Sequence, residues 1–237
     1  MKISLCIPMY NESSIIADTA KTVSAYMATH FPEYEILFSD DGSTDGSAEI
    51  VRTLNLPHVR VIGYPDNRGK GSAVREAMLA ADGDVVMFTD SDLAFGTEVI
   101  ERFVKELTNT PTLDIVVGSR NISTDGYEGY TFMRKLASKA YIRLLSFVGG
   151  VKLSDFQCGC KAFRGEAAKR IFSYCEVNGF AFDFEALMIA TRMKLSIGEL
   201  AVKVINHRES KVSLLRDAFR MMGDLRKMKK RVKRLDL

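Results

Sequence analysis

Val85-Val86-Met87-Phe88-Thr89-Asp90-Ser91-Asp92 decides the fold. An apolar run of strand length, rich in β-branched and aromatic residues, ends abruptly in carboxylates. That is the pattern of a strand buried on both faces whose carboxyl end opens onto a polar site. Three other short apolar runs, over 3–7, 35–39 and 59–63, read as strands, and 115–119 adds a fifth. Helical periodicity lies between them at 12–29, 47–54 and 71–81. Strands alternating with helices predict an α/β chain with a mostly parallel sheet covered on both faces. Ligands of such sheets bind beyond the carboxyl ends of the strands. Tyr10-Asn11-Glu12, Asp40-Asp41 and Asp90-Ser91-Asp92 all fall at those ends.

The chain of 237 residues has a net charge of +3 and 46% hydrophobic residues, enough for one sizeable core. The charge is unevenly spread. Residues 1–129 carry ten Lys/Arg against twenty Asp/Glu, and residues 130–237 carry twenty-three against ten. An acidic, metal-handling front and a basic back that meets phosphates or an anionic surface fit this split, as does an unevenly charged solvated surface. The four cysteines lack disulfide-scaffold or zinc spacing, so reduced thiols are expected. The opening apolar run is too short for a signal peptide, and no stretch reaches the roughly 18 apolar residues of a membrane span. Membrane contact is therefore expected to be peripheral, with the chain on the cytoplasmic side.

Asp90 and Asp92, one residue apart at a strand end, can share a hard divalent cation whose remaining positions a diphosphate fills. The competing reading is a solvated turn. Asp41, Ser43, Asp45 and Gly46 are in step with a calcium loop, but Arg52 stands where its last ligand, a glutamate, belongs, which excludes calcium. Asp40 or Asp41 can instead accept hydrogen bonds from a base or a ribose, and Ser43, Thr44 or Asp45 can cap the next helix. Asn67-Arg68-Gly69-Lys70-Gly71 is neither a Walker loop nor a dinucleotide fingerprint, since Gly71 follows Lys70 and a third glycine is missing. It fits a pyrophosphate neighbour or a plain loop before a helix. Residues 121–129 read as a flexible loop and 130–148 as a basic amphipathic helix. A second basic helix fills the C-terminus, with Leu214, Ala218, Met221, Leu225, Met228, Val232 and Leu235 on its apolar stripe. It suits an anionic membrane surface ahead of a coiled-coil partner.

Together these motifs resemble a family-2 glycosyltransferase with the GT-A fold, a Rossmann-like mixed sheet flanked by helices and followed here by basic amphipathic helices. Ile7-Pro8-Met9-Tyr10-Asn11-Glu12, Asp40-Asp41-Gly42-Ser43-Thr44-Asp45-Gly46, Asn67-Arg68-Gly69-Lys70-Gly71 and Thr89-Asp90-Ser91-Asp92 carry the match. Asp155-Phe156-Gln157-Cys158-Gly159-Cys160-Lys161-Ala162-Phe163, Phe180-Ala181-Phe182-Asp183-Phe184-Glu185 and His207-Arg208-Glu209-Ser210-Lys211-Val212-Ser213 are similar to dolichyl-phosphate β-glucosyltransferases. The resemblance covers about residues 3–225, without the N-terminal anchor of the eukaryotic members.

It implies a domain over 1–211, with a nucleotide-sugar and metal half at 1–129, an acceptor half at 130–211, and a basic helix over 212–237. It implies that Pro8, Tyr10, Asn11, Glu12, Asp40, Asp41, Arg68, Lys70, Gly71, Ser91 and Gln157 line the nucleotide-sugar pocket. Asp90 and Asp92 would hold Mg²⁺ or Mn²⁺ and act in catalysis with Asp183 and Glu185, and Gln157 with Asp183 or Glu185 would face the sugar. Arg120, Arg134, Arg208 and Lys211 would surround the acceptor phosphate, a task suited to the guanidinium fork. The implied reaction is a single displacement with inversion, moving glucose from UDP-glucose to dolichyl or undecaprenyl phosphate. Alternatives are a GDP-mannose enzyme, a transferase acting on a polysaccharide hydroxyl, and a non-catalytic nucleotide-sugar sensor at a membrane. A second copy of the chain is a further candidate partner. Nucleic acid is not, because the acidic strand ends would repel its phosphates.

Overall fold

The computed structural model describes residues 1–122, 146, 150–206, 225 and 227–236. Seven strands form one sheet in the order β3-β2-β1-β4-β6-β5-β7. They are β1 (Ile3–Met9), β2 (Tyr34–Asp40), β3 (Val59–Gly63), β4 (Val85–Thr89), β5 (Ile115–Ser119), β6 (Cys160–Arg164) and β7 (Ile197–Ala201). Strands β3, β2, β1 and β4 run parallel, as do β5 and β7. Strand β6 lies antiparallel between β4 and β5. The sheet is therefore mixed, and the second half of the chain inserts a strand into the first. Strands β3, β4 and β5 have the bounds that their apolar runs predict.

Among the described residues six helices cover the sheet, α1 (Ile16–His30), α2 (Ser47–Thr53), α3 (Lys70–Ala80), α4 (Glu98–Asn109), α5 (Gly165–Ser173) and α6 (Phe182–Arg192), and a C-terminal helical stretch runs over 227–232. Helix α4, which the sequence reading leaves unassigned, buries Val99, Ile100, Phe103, Val104 and Leu107 along one stripe. Helix α1 starts four residues later than its periodicity suggests. Asn11 is held in the left-handed region at φ 53°, and the Ile15 and Ile16 N–H groups both bond the Glu12 carbonyl before the helix begins. Strands β1, β4 and β5 are buried along their whole length, as expected of strands covered on both faces. Pro8 lies past the last β1 residue paired with β4, Cys6 opposite Phe88, so its missing N–H breaks no bond on that side.

Two cores result. One face of the sheet packs α1, α2 and α4 through Ile16, Val23, Val51, Ile100 and Phe103. The other packs α3, α5 and α6 through Val74, Met78, Ile171, Phe172 and Leu187. Leu225, Met228 and Val232, at the C-terminus, belong to this second core and are nearly inaccessible. For these three residues the expectation that the stripe meets a membrane is corrected, because the protein itself covers them; Leu214, Ala218 and Met221 of the same stripe lie outside the described residues. Periodicity reports that a helix has an apolar face, not what lies against that face. Among the described residues no helix is long and apolar enough to cross a membrane. The four cysteines are free and buried.

Candidate functional site

The carboxyl ends of β1, β2 and β4 lie side by side, and hydrogen bonds between loops fix them there. The Asn11 N–H donates to Ser43 Oγ and the Thr44 N–H to Asn11 Oδ1, both at 2.9 Å. The Glu12 N–H donates to Ser47 Oγ (2.8 Å) and the Ser13 N–H to Asp45 (2.9 Å). Asp45 is held well below the usual carboxylate range; burial opposes this, but bonds from Ser47 and Ser13 outweigh it. It braces the start of α2 through the N–H and hydroxyl of Ser47, although the N-cap residue itself is Gly46.

The two adjacent carboxylates at the end of β2 have different tasks. Asp41 is buried and accepts bonds from the Tyr64 hydroxyl (2.7 Å), Asn67 Nδ2 (2.9 Å) and the N–H groups of Arg68 and Gly69 (both 2.9 Å). With both oxygens committed, it shapes the 64–69 loop rather than presenting itself to a nucleotide, which corrects its place among the pocket residues. Among the described residues the Asp40 carboxylate accepts only from its own turn, the Ser43 N–H at 3.2 and 3.3 Å. Tyr10 is exposed, and the exposed Arg68 lays its guanidinium 4.2 Å from the centre of the Tyr64 ring.

That loop delivers Lys70 to the site. Lys70 opens α3, and its Nζ donates to Asp90 Oδ1 at 2.5 Å. Burial pulls the lysine's pKa down, but Asp90, Asp183 and Asp92 together raise it above the ordinary value. Gly71 has no room for a side chain: its N–H donates to the Asn178 carbonyl at 2.7 Å, and a Cβ would lie 2.4 Å from the Val177 carbonyl.

Asp90, Ser91 and Asp92 follow β4 directly. Thr19 of α1 donates to the Ser91 carbonyl (2.7 Å), and Asn206 donates to the Leu93 carbonyl (3.0 Å). Asp92 Oδ1 accepts the Ala94 N–H at 3.0 Å. Burial raises the pKa of Asp92, and the Asp90 charge adds to the effect. Two carboxylates side by side at one strand end, both oxygen donors, suit a hard dication. Among the described residues no third His, Cys, Asp or Glu completes a metal cage, so other ligands would come from a bound diphosphate.

Gly159, just before β6, passes directly over this centre. A Cβ built there would lie 2.1 Å from Asp90 Oδ2. Gly159→Ala is expected to push Asp90 off the site and cut turnover about a hundredfold, because misplacement of about 1 Å costs that much. Calorimetry with nucleotide diphosphate and Mn²⁺ should show weakened metal-dependent binding; unchanged binding and turnover would contradict this geometry.

Asp183 lies in the first turn of α6, buried, and Lys161 Nζ donates to its Oδ1 at 2.5 Å. Burial raises its pKa against the opposing pull of Lys161 and Lys70. Glu185 lies elsewhere. It is fully buried and accepts the N–H groups of Glu176 (2.9 Å) and Val177 (2.8 Å), and it pairs with Arg231 near the C-terminus. The expectation that Glu185 faces the sugar is therefore corrected to a structural role. Gln157 is half-buried, with its N–H on Asp155 (3.1 Å). Arg120, just past β5, forks onto the buried Asp155 through Nε (2.7 Å) and Nη2 (3.0 Å). Arg134, Arg208 and Lys211 lie outside the described residues. Sequence reasoning missed Lys161 as a site residue. Its signal was a lone charge inside the apolar strand Cys160-Lys161-Ala162-Phe163.

The mixed sheet and its acidic strand ends define the nucleotide-diphospho-sugar transferase class. The glucosyl-3-phosphoglycerate synthase of Mycobacterium tuberculosis, solved with UDP, superposes with a TM-score of 0.71 at 23% identity, covering 99% of this chain and 81% of that one. The mannosyl-3-phosphoglycerate synthase of Rubrobacter xylanophilus gives 0.70 at 19% identity, covering 100% and 76%. Residues 4–172 match the glycosyl transferase family 2 model, and the chain belongs to that family. A dolichyl-phosphate β-glucosyltransferase of Trichomonas vaginalis is 33% identical over 88% of this chain and 65% of its own length. The Homo sapiens dolichyl-phosphate β-glucosyltransferase is 31% identical over 85% and 66%. The chain thus spans about two thirds of the length of these relatives.

Proposed function

We propose that this chain is an inverting glycosyltransferase that moves glucose from UDP-glucose to a polyprenyl phosphate, dolichyl or undecaprenyl, at the cytoplasmic face of a membrane. The observation that carries the reading is the charge cluster at the end of β4: Asp90 paired with Lys70, with Asp92 and Asp183 close enough to shift the lysine's proton affinity. The donor preference follows the named relatives, which are glucosyltransferases. The divalent metal has a parallel in the mycobacterial synthase, which was solved with Mn²⁺ and UDP.

In this reading residues 1–129 hold the nucleotide-sugar, with Asp40 reading the base, Pro8, Tyr10, Asn11 and Glu12 beside it, and Arg68 near the pyrophosphate. Residues 130–211 hold the acceptor, whose phosphate Arg120, Arg134, Arg208 and Lys211 surround. Asp90 and Asp92 hold Mg²⁺ or Mn²⁺, which when bound offsets charge on the departing diphosphate as a Lewis acid. A phosphate monoester, with its second pKa near ~6, is largely ionised at neutral pH and needs positioning more than a strong base. Asp183 accordingly serves as a fixed negative acceptor facing the sugar. Membrane contact rests on the outward basic side of the C-terminal helix, where Lys227, Lys230, Lys233 and Arg234 are exposed.

The test is incubation of the protein with Mg²⁺ or Mn²⁺, a short polyprenyl phosphate and a panel of UDP- and GDP-sugars. Metal-dependent glycolipid from UDP-glucose is the expected outcome. Donor hydrolysis without glycolipid would redirect the acceptor to a hydroxyl compound, and binding without turnover would favour a sensor.

A further inference from the structure

Lys161 is the most deeply buried cation among the described residues, about 1% exposed, and it lies in the middle of the sheet. An ammonium taken out of water is tolerated only when its donors are matched and its charge is paired. Here two of its three N–H donors are hydrogen-bonded and its charge is paired. Nζ donates to Asp183 Oδ1 at 2.5 Å and to the Cys158 carbonyl at 2.7 Å, and it lies 5.4 Å from the centre of the Phe88 ring.

The register explains the position. Lys161 pairs with Phe88 across β4 and β6, and Cys160 pairs with Thr89, so the next residue of β6's approach, Gly159, meets Asp90. One three-residue stretch of backbone, 159–161, therefore sets both the bed of Asp90 and the anchor of Asp183. The charges alternate through the site as Asp90, Lys70, Asp183 and Lys161, drawn from the β4 end, α3, α6 and β6. Lys161 engages only one oxygen of Asp183. Among the described residues, Asp183 Oδ2 accepts no hydrogen bond.

We propose that Lys161 is a positioning residue for the transfer: it pins Asp183 by one oxygen and holds the other toward the sugar-binding space as an acceptor for a substrate hydroxyl. This rests on the reading that Asp183 faces the transferred sugar. A carboxylate free to rotate would waste its orientation, whereas one fixed by a buried cation keeps a single direction.

The test is steady-state kinetics with UDP-glucose and polyprenyl phosphate on Asp183→Asn, Lys161→Met and the double variant. Rates are normalised to nucleotide-binding sites and measured well below each variant's melting temperature. Lys161→Met is expected to lower kcat roughly a hundredfold, the scale of a misplaced group, while the donor KM stays within about twofold. In the Asp183→Asn background, Lys161→Met should change kcat less than about twofold, since the group it positions is already disabled. A Lys161→Met enzyme with lower thermal stability but parental kcat would show a merely structural lysine and overturn the proposal. A further tenfold or larger loss in the double variant would do the same, and this arm stands even if the single Lys161→Met chain does not fold, because the double variant buries no unpaired charge. Unchanged kcat in Asp183→Asn would instead overturn the assignment of Asp183 itself.

Discussion

Asp92→Asn is expected to lower glycosyl transfer by about a thousandfold or more while leaving the protein folded. The substitution is nearly isosteric, and its side-chain carbonyl can still accept the Ala94 N–H that Asp92 Oδ1 accepts at 3.0 Å. The loop keeps its other anchors, the Thr19 hydroxyl on the Ser91 carbonyl and Asn206 on the Leu93 carbonyl. What is lost is one of two anionic oxygen donors at the end of β4. Metal assistance to a leaving diphosphate is a matter of several kcal/mol, and about 4 kcal/mol is a thousandfold in rate. Asp90→Asn is the less clean experiment, because it also strips Lys70 of its partner. The measurement is turnover at ordinary Mn²⁺ concentration alongside circular dichroism and a titration with nucleotide diphosphate. Binding should lose its metal dependence. Turnover within tenfold of the parent, with intact metal-dependent binding, would remove Asp92 from the metal site.

How much of this site can be read from the sequence depends on how each residue's neighbours are arranged. Strands β4 and β5 are continuous apolar runs because both faces are covered, and such runs are legible. Strand β6 is buried too, but Lys161 interrupts its apolar pattern, and its antiparallel insertion between β4 and β5 is a long-range pairing that no local period records. Strand β7 is half-buried along its length at the sheet edge and gives no apolar run to find. The acidic strand ends were visible as positions but not as roles. Asp40 and Asp41 are neighbours in sequence, yet Asp41 is consumed by the 64–69 loop, which is known only once that loop is placed.

Phe182-Asp183-Phe184-Glu185 shows the same limit most sharply. The sequence offers Asp183 or Glu185 to the sugar, and two carboxylates two residues apart carry no direction until the backbone is known. In a helix each residue turns about 100°, so residues two apart lie about 200° from each other. Asp183 thus reaches Lys161, and Glu185 reaches Arg231 on the opposite side.

That geometry carries the second large prediction. Glu185→Ala should destabilise the fold by about 3–5 kcal/mol, the range for breaking a buried ion pair by removing one partner. The carboxylate is wholly inaccessible and makes three kinds of bond at once: to Arg231, to the Glu176 N–H and to the Val177 N–H. Removing it orphans both backbone donors and leaves Arg231 with Glu176 (3.1 Å) and the Tyr174 carbonyl (2.9 Å). For a chain of this size each kcal/mol is worth about 2–4 °C, so melting should fall by roughly 10 °C. The damage has a direction. Val177 and Asn178 are the residues whose carbonyls bed Gly71 and receive its N–H, so loosening that loop loosens the seat of Lys70. On the other side, Arg231 ties the C-terminal helix to α6 beside Leu225, Met228 and Val232. Differential scanning calorimetry and turnover at low temperature separate the two roles. A lower melting temperature with turnover retained below the transition is expected for a brace. Lost turnover with unchanged melting would return Glu185 to the chemistry of the sugar.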